Sequence, residues 1–269
     1  MADGPRPAMG HLDGPSNSYK IVVLIKQVPD MNTVRLDRAS GKPILSGQLA
    51  ISSYDDYAIE EALRIKEQHG GEVIAISAGP ASVKDAVSRA LALGADRGVV
   101  VQIENVNQLD TLQLAEVLAE QVRAIGPDIV LAGQVSDDNA TGQVGPQVAE
   151  LVGMPSLGSI AHIEPNGDSL TILRDTEDGR QTIEVKMPVM LMAQAGLNAP
   201  RYPSLKGIMA AKKKQLDLVP AEVPAGGGRV SWTEPYVPRR DARGVMIQDY
   251  PPAEAARQLV EWLREMKLV

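Results

Sequence analysis

The fold turns on residues 131–151: Leu131-Ala132-Gly133-Gln134-Val135-Ser136-Asp137-Asp138-Asn139-Ala140-Thr141-Gly142-Gln143-Val144-Gly145-Pro146-Gln147-Val148-Ala149-Glu150-Leu151. The stretch continues an apolar run, Asp128-Ile129-Val130-Leu131-Ala132, that reads as a buried strand. It then turns polar and closes with Val144, Val148 and Leu151 at spacings that share one helix face. A strand, a polar loop and a helix start place a ligand outside the carboxyl end of a parallel sheet. Free backbone N–H groups at such a helix start favour an anion such as a phosphate. Asp137 and Asp138 would repel a phosphate, so they are expected to accept from ribose hydroxyls or to cap backbone N–H groups. Thr141, Gly142 and Gln143 are neutral and let a phosphate approach. The chain has no Walker lysine after a glycine-rich loop and no G-x-G-x-x-G, so the stretch is expected to hold a nucleotide rather than cleave one. Taken alone, it also reads as an ordinary capped strand-to-helix loop.

Working upstream, strands alternate with helices. Residues 20–26 form the first strand. A polar turn, Asp37-Arg38-Ala39-Ser40-Gly41-Lys42-Pro43, lies between Val34-Arg35-Leu36 and Ile44-Leu45, which predicts a hairpin on the sheet edge. Residues 55–69 read as a helix with Ala58, Ile59, Ala62, Leu63 and Ile65 inward, stopped by Gly70-Gly71. Strand 72–77 follows. Ser82 with Asp85 resembles a capping box opening a helix whose buried stripe is Val83, Val87, Ala90 and Leu91. Strand 98–102 precedes a helix capped by Asp110 and lined by Leu114, Val117, Leu118, Val122 and Ile125. The pattern predicts an α/β fold: an open parallel sheet with helices on both faces.

Downstream the pattern changes. Residues 159–163, 169–174, 181–186 and 189–193 read as short strands, with turns at Asn166-Gly167 and Asp178-Gly179, and either extend the sheet or cap one end of it. From Gly196 regular structure is expected to fade. Pro200, Pro203, Pro220, Pro224, Pro235, Pro238, Pro251 and Pro252 punctuate an extended arm that includes a flexible link at 225–228. Helix is expected to return over 253–267, with Ala256, Leu259, Val260 and Leu263 on one face. An arm without its own core is expected to lie on another polypeptide.

Composition narrows the functions. The chain has 269 residues, 44% of them hydrophobic, and a formal net charge of -7 that disfavours nucleic acid and anionic membranes as partners. Cysteine is absent, which excludes disulfides, thiol catalysis and thiolate metal sites and fits a reducing compartment. Apolar runs such as Ile21-Val22-Val23-Leu24-Ile25 fall far short of the ~20 residues a membrane helix needs, so no insertion is expected. Residues 1–18, rich in Gly, Pro, Asp and Ser, lack a signal-peptide pattern and read as a disordered extension. His11, His69 and His162 have no metal-ligand spacing. Asp175, Glu177 and Asp178 around a glycine turn read as a solvated hairpin tip. Lys212-Lys213-Lys214 reads as a solvated charge run or an anion-attracting patch. Arg201-Tyr202-Pro203-Ser204-Leu205 puts a leucine in a proline-bounded loop, either as an interface anchor or tucked into the core.

Several of these segments, in order, resemble the β subunit of electron transfer flavoproteins. They are Lys20-Ile21-Val22-Val23-Leu24-Ile25-Lys26-Gln27-Val28-Pro29-Asp30, Tyr57-Ala58-Ile59-Glu60-Glu61-Ala62-Leu63, Ala90-Leu91-Ala92-Leu93-Gly94-Ala95-Asp96, and Ile172-Leu173-Arg174-Asp175-Thr176-Glu177-Asp178-Gly179 followed by Pro188. The most specific are Leu197-Asn198-Ala199-Pro200-Arg201-Tyr202-Pro203-Ser204-Leu205 and Gly207-Ile208-Met209-Ala210-Ala211-Lys212-Lys213-Lys214. The resemblance implies an adenine-nucleotide α-hydrolase-like fold paired with an α subunit that carries the redox FAD. It implies structural AMP at Leu24, Ser52, Ser53, Tyr54, Asp55, Ala78, Gly133, Gln134, Val135, Ser136, Asp137, Asp138, Asn139, Ala140, Thr141, Gly142 and Gln143, with no catalytic residue in this chain. It implies a recognition loop at 193–215, where Leu205 anchors acyl-CoA dehydrogenase-type flavoenzymes beside Arg201, Tyr202, Lys212, Lys213 and Lys214. Electrons would pass on to a quinone oxidoreductase. The implied setting is the cytoplasm, or the mitochondrial matrix in a eukaryote. The implied layout is an extension over 1–18, a nucleotide-binding domain over 19–219 and an arm over 220–269 that packs on the α subunit. The sequence departs from many relatives in having Ser52-Ser53-Tyr54 for Asn-Pro-aromatic, Gln134-Val135 for Lys-Gln, Asn139-Ala140 for two acids, Met31 for an aromatic and Ala199 for a glutamate. Two further readings stand beside this one: a bifurcating relative with a second FAD in the AMP site and NADH as donor, and a stand-alone ATP-binding protein of the same fold.

Overall fold

The structure is a computed structural model that describes residues 18–37, 39–45, 47–223, 228–231, 233, 236 and 244–269. The expected extension over 1–18 lies outside the described residues except for Ser18, as does the link at 225–227. Strand β1 (Tyr19–Leu24) is apolar on both faces and sits mid-sheet. After it come β2 (Gln27–Pro29), β3 (Arg35–Leu36), β4 (Pro43–Ile44), β5 (Leu49–Ile51) and helix α1 (Ser53–His69). Then β6 (Gly71–Gly79), α2 (Lys84–Leu93), β7 (Arg97–Gln102) and α3 (Thr111–Ile125) lead to β8 (Ile129–Gly133) and α4 (Val144–Val152). The second half adds β9 (Ser156–Asn166), β10 (Ser169–Thr176), β11 (Gly179–Lys186), β12 (Val189–Ala193), α5 (Leu205–Ala211), β13 (Gln215–Pro220) and α6 (Pro252–Glu265).

Among the described residues, nine strands form one sheet in the order β11-β10-β9-β12-β8-β1-β6-β7-β13. Neighbours from β9 to β13 pair in parallel, and β10 is antiparallel to both β9 and β11. The strands after residue 155 therefore extend the sheet. Alternation along β1 explains the layers. Ile21 and Val23 join the core under α1 and α2, while Val22 and Leu24 join the core under α3 and α4. Helices thus cover both faces, as a mostly parallel sheet requires.

The chain runs from β1 outward through β6 and β7, then returns through α3 to lay β8 on the other side of β1. The switch point of the sheet is therefore the crevice between the carboxyl ends of β1 and β8, where Leu24 pairs with Ala132.

Three expectations need correction. The hairpin β3–β4 does form, but as a separate two-stranded sheet, and β2–β5 makes another. Ser82 caps no helix: the chain first makes a tight turn over Ala81–Val83 that takes Ser82 inside it, with no side-chain cap on either turn. Regular structure does not fade at Gly196. Ser204 caps α5 by accepting from the Gly207 N–H at 3.0 Å, and β13 pairs along β7 from Arg97 to Gln102. Leu216 packs on the core layer under α1 and α2 and Val219 on the layer under α3 and α4, so the segment offers no one-faced period to read, and the prolines around it mask it further.

At the start of α3, Asp110 and Gln113 form a reciprocal capping box at 2.9 and 3.2 Å. The other oxygen of Asp110 accepts from the Arg229 N–H at 2.6 Å, so the same carboxylate fastens the start of the arm to the body. Beyond it α6 buries no residue, and Leu259 and Val260 remain exposed. Asp110→Ala is expected to lower stability by about 1–2 kcal/mol through the lost cap. It should also make the 228–231 segment more accessible to protease, which Asp110→Asn should largely prevent. Urea unfolding and limited proteolysis of the three proteins check this.

Candidate functional site

The switch-point crevice is spanned by one side chain. Asp55, in the first turn of α1, is buried, and its two carboxyl oxygens accept from the Lys26 N–H at 2.7 Å and the Gly133 N–H at 2.9 Å. One residue thereby ties the end of β1 to the end of β8. Gly133 makes this possible, because a Cβ there would lie 2.5 Å from Asp55 Oδ1 and 2.7 Å from Tyr54 Cβ. Burial raises the Asp55 carboxyl to about 7, against the pull of those two N–H groups.

Residues 134–143 then cross the crevice. The Asp137 carboxylate accepts from the Ser53 N–H and the Ser53 hydroxyl, both at 2.7 Å, and so caps the start of α1. The Asp137 N–H in return donates to the buried Ser52 hydroxyl at 3.2 Å. Of the two roles expected for Asp137, the structure shows the cap. Lys26 Nζ donates to both Asp138 oxygens at 2.7 Å and lies 3.5 Å from the Ser136 hydroxyl. Burial pushes the Asp138 carboxyl up, but the Lys26 ammonium and the Ser136 hydroxyl outweigh it and hold it below its ordinary value. Ala140 turns the loop at a φ of 49°, its N–H donating to Ser136 O at 2.9 Å. Gln143 Oε1 accepts from the Thr111 hydroxyl at 2.8 Å, joining the end of the crossing to α3.

Leu24, Ser52 to Asp55, Ala78 and Gly133 to Gln143 therefore surround the carboxyl ends of β1, β6 and β8. One of these residues turns away: Gln134 spends its side chain on the Ser159 N–H at 2.6 Å, whereas Asn139 donates its backbone N–H to Asp138 within the crossing at 2.8 Å. Sequence reading missed Lys26. Its signal was position: a lone cation just past the central strand, where topology opens a crevice.

The 193–215 segment is clamped at several points. Arg201 Nε donates to Glu60 Oε2 at 2.8 Å, Arg201 Nη2 donates to Glu60 Oε1 and Glu67 Oε2, each at 3.0 Å, and Nη1 donates to Glu67 Oε1. Burial raises the Glu60 carboxyl, but Arg201 and then Arg64 overcome it and lower it, while Glu67 and Glu60 raise the guanidinium. Asn198 Nδ2 donates to Tyr57 O and Glu61 Oε2, both at 2.9 Å. Gly207 lets α5 touch α2, since a Cβ there would meet Ala92 O at 2.3 Å. Lys214 Nζ donates to Leu91 O at 2.9 Å and Ala95 O at 2.6 Å, and burial lowers its ammonium. The three lysines thus divide: Lys214 closes the end of α2, while Lys212 and Lys213 are exposed. Arg201 is likewise occupied within the chain. Leu205 is not in the core. It is 83% exposed, beside Tyr202 at 87% and Met209 at 71%.

An open, mostly parallel sheet with a polar crossing at its switch point defines an α/β protein of the class whose members hold ligands at that point. The electron transfer flavoprotein domain model matches residues 45–224, which include both the crossing and the clamped platform. The chain is 37% identical over 249 residues to the electron transfer flavoprotein subunit beta of Syntrophomonas wolfei, covering 92% of this chain and 96% of that one. It is 43% identical over 204 residues to the subunit of that name from Thermoanaerobacterium thermosaccharolyticum, covering 75% and 78%. With that of Bacillus subtilis it shares 37% over 226 residues, covering 81% and 88%. The chain belongs to the electron transfer flavoprotein family, among its β subunits. Among the described residues no helix is long and apolar enough to cross a membrane.

A raised Asp55 gives a signed pH dependence. Its contribution is full below the ordinary value of 3.8 and is lost as pH rises through about 7, because the unfolded chain gives up the proton first. Asp55→Asn mimics the protonated form and removes that slope. The stability gap between the two proteins should therefore change between pH 4.5 and 8, read from urea midpoints. A constant gap would mean that Asp55 titrates alike folded and unfolded.

Proposed function

We propose that this chain is the β subunit of a heterodimeric electron carrier, with AMP at the 133–143 crossing and partner flavoenzymes at the α5 platform. The observation that carries the reading is that the family match over 45–224 contains both features. The donor set fits a nucleoside monophosphate. Thr141 and Gly142 are neutral and half-buried, and Lys26 supplies a cation to the same loop through Asp138. The hydroxyl of Ser53 and the carboxylate of Asp137 are polar partners at the same edge. AMP supplies no redox chemistry; it fills and braces the crossing. The chain is accordingly a carrier subunit with no catalytic residue of its own.

The arm over 220–269 completes the heterodimer with the FAD-bearing α subunit. Its helix α6 has an apolar face and no core beneath it, which a partner surface would supply. Leu205 and Tyr202 dock acyl-CoA dehydrogenase-type flavoenzymes. An exposed leucine entering a dry pocket contributes roughly 2 kcal/mol, enough to steady a transient complex while the α-subunit flavin moves. Exposed Lys212 and Lys213 steer an acidic partner. Electrons then leave for a quinone oxidoreductase in the same aqueous compartment, the cytoplasm of a bacterium or archaeon.

The first test is to co-purify the chain with its α subunit, denature the complex and quantify the released nucleotides by chromatography. One FAD and one AMP per heterodimer is expected. Two FAD without AMP would make the crossing a redox site and turn the assignment to a bifurcating relative.

Leu205→Ala should slow electron transfer from a dehydrogenase about tenfold or more while flavin and nucleotide contents stay unchanged. Arg201→Ala should also slow it, but by loosening the platform, so its 197–211 amides should exchange faster than in Leu205→Ala. Steady-state transfer rates and hydrogen exchange on both variants separate the two effects.

A further inference from the structure

We propose that Lys26 is the residue that selects a phosphorylated nucleoside at this site, and that Asp138 is its built-in competitor. The inference rests on the nucleotide reading of the crossing and adds to it the group that recognises the phosphate. Among segments 24–26, 52–55, 77–79 and 133–143 the acids are Asp55, Asp137 and Asp138, and the sole base is Lys26. A phosphate entering that edge meets a negative field unless Lys26 faces it.

The helix start cannot substitute for the lysine. Pro146 is the third residue of α4, so one of its first N–H groups is missing by chemistry. That weakens the anion site a helix start ordinarily makes.

Lys26 is built to move only at its tip. Its N–H is fixed on Asp55 at 2.7 Å, and its carbonyl accepts from the Ser52 N–H at 3.0 Å. The side chain above that root is 38% exposed and its partner Asp138 is 23% exposed. The exposed end of Lys26 lets water compete for the pair, so it is held less firmly than a fully buried one. A phosphate dianion on Lys26 outcompetes a single carboxylate, and the Asp138 carboxylate, already in part open to water, turns to solvent without burying a charge. Asp138 therefore lowers affinity for every phosphorylated ligand, and Lys26 raises it, while neither acts on the nucleoside part.

The two residues should thus have opposite effects on one ligand and none on another. The full chain, co-purified with its α subunit, is dialysed against labelled AMP and challenged with unlabelled AMP or adenosine. Lys26→Gln is expected to lower AMP affinity about tenfold, leave adenosine within about twofold and recover most of the loss as Lys26→Arg. Asp138→Asn is expected to raise AMP affinity with adenosine again unchanged. Equal losses for AMP and adenosine in Lys26→Gln would overturn the proposal and make Lys26 a brace for the loop. Unchanged AMP affinity would overturn it as well. If the unaltered complex takes up neither ligand, the nucleotide reading itself fails, an outcome separable from both of the others.

Discussion

Everything at the carboxyl edge of the sheet depends on one buried carboxyl. Asp55 takes hydrogen bonds from β1 and β8 where the strand order reverses, and those strands otherwise diverge into different loops. A polar group buried there without partners would cost about 1–3 kcal/mol, so its two backbone donors must be delivered accurately. Gly133 delivers one by letting β8 come within van der Waals distance of α1. The Ser52–Lys26 backbone bond delivers the other. The crossing over 134–143 rests on this frame, since Asp137 caps the same helix that Asp55 opens.

Helix α1 carries the frame to the opposite edge. Its first turn faces the crevice, while Glu60 and Glu67 further along hold Arg201. Seventeen residues of helix span about 25 Å at 1.5 Å each. The amino-edge position of the platform follows from two contacts: α5 touches the end of α2, and β13 begins level with the start of β7. In the proposed carrier, a nucleotide at the crossing and a partner seated on α5 lie at opposite edges of the sheet. In the proposed carrier, AMP therefore acts on the frame rather than on the exchange of electrons.

Much of the sheet was legible because burial leaves a period. Strand β12 fell at its predicted limits, and the stripes of α1 and α3 point inward as their spacing required. The Asp110 cap was legible for the same local reason. What could not be read depends on long-range geometry. Nothing local marks Arg201 as the partner of Glu60, because 141 residues separate them. Lys214 looked like its two neighbours in sequence, and only the approach of α5 to α2 distinguishes it. Strand β13 escaped because its edge position leaves it half exposed among prolines. The crossing was recognised, but the roles inside it were open until Asp137 was seen on Ser53 and Asp138 on Lys26.

The arm and the crossing share a footing. Asp110 fastens Arg229, and its neighbour Thr111 holds Gln143, so consecutive residues at the start of α3 fix the departure of the arm and the far end of the loop. A ligand that orders the loop orders that helix start, and the helix start sets the direction in which the arm leaves. A subunit whose arm must find a partner gains from this arrangement. Ligand binding to the folded chain alone adds stability by mass action, about 2.7 kcal/mol at a hundredfold excess over Kd. Through α3 part of that stabilisation falls on the segment that has no core of its own. In the proposed carrier, a nucleotide with no chemistry to perform would thereby act on assembly.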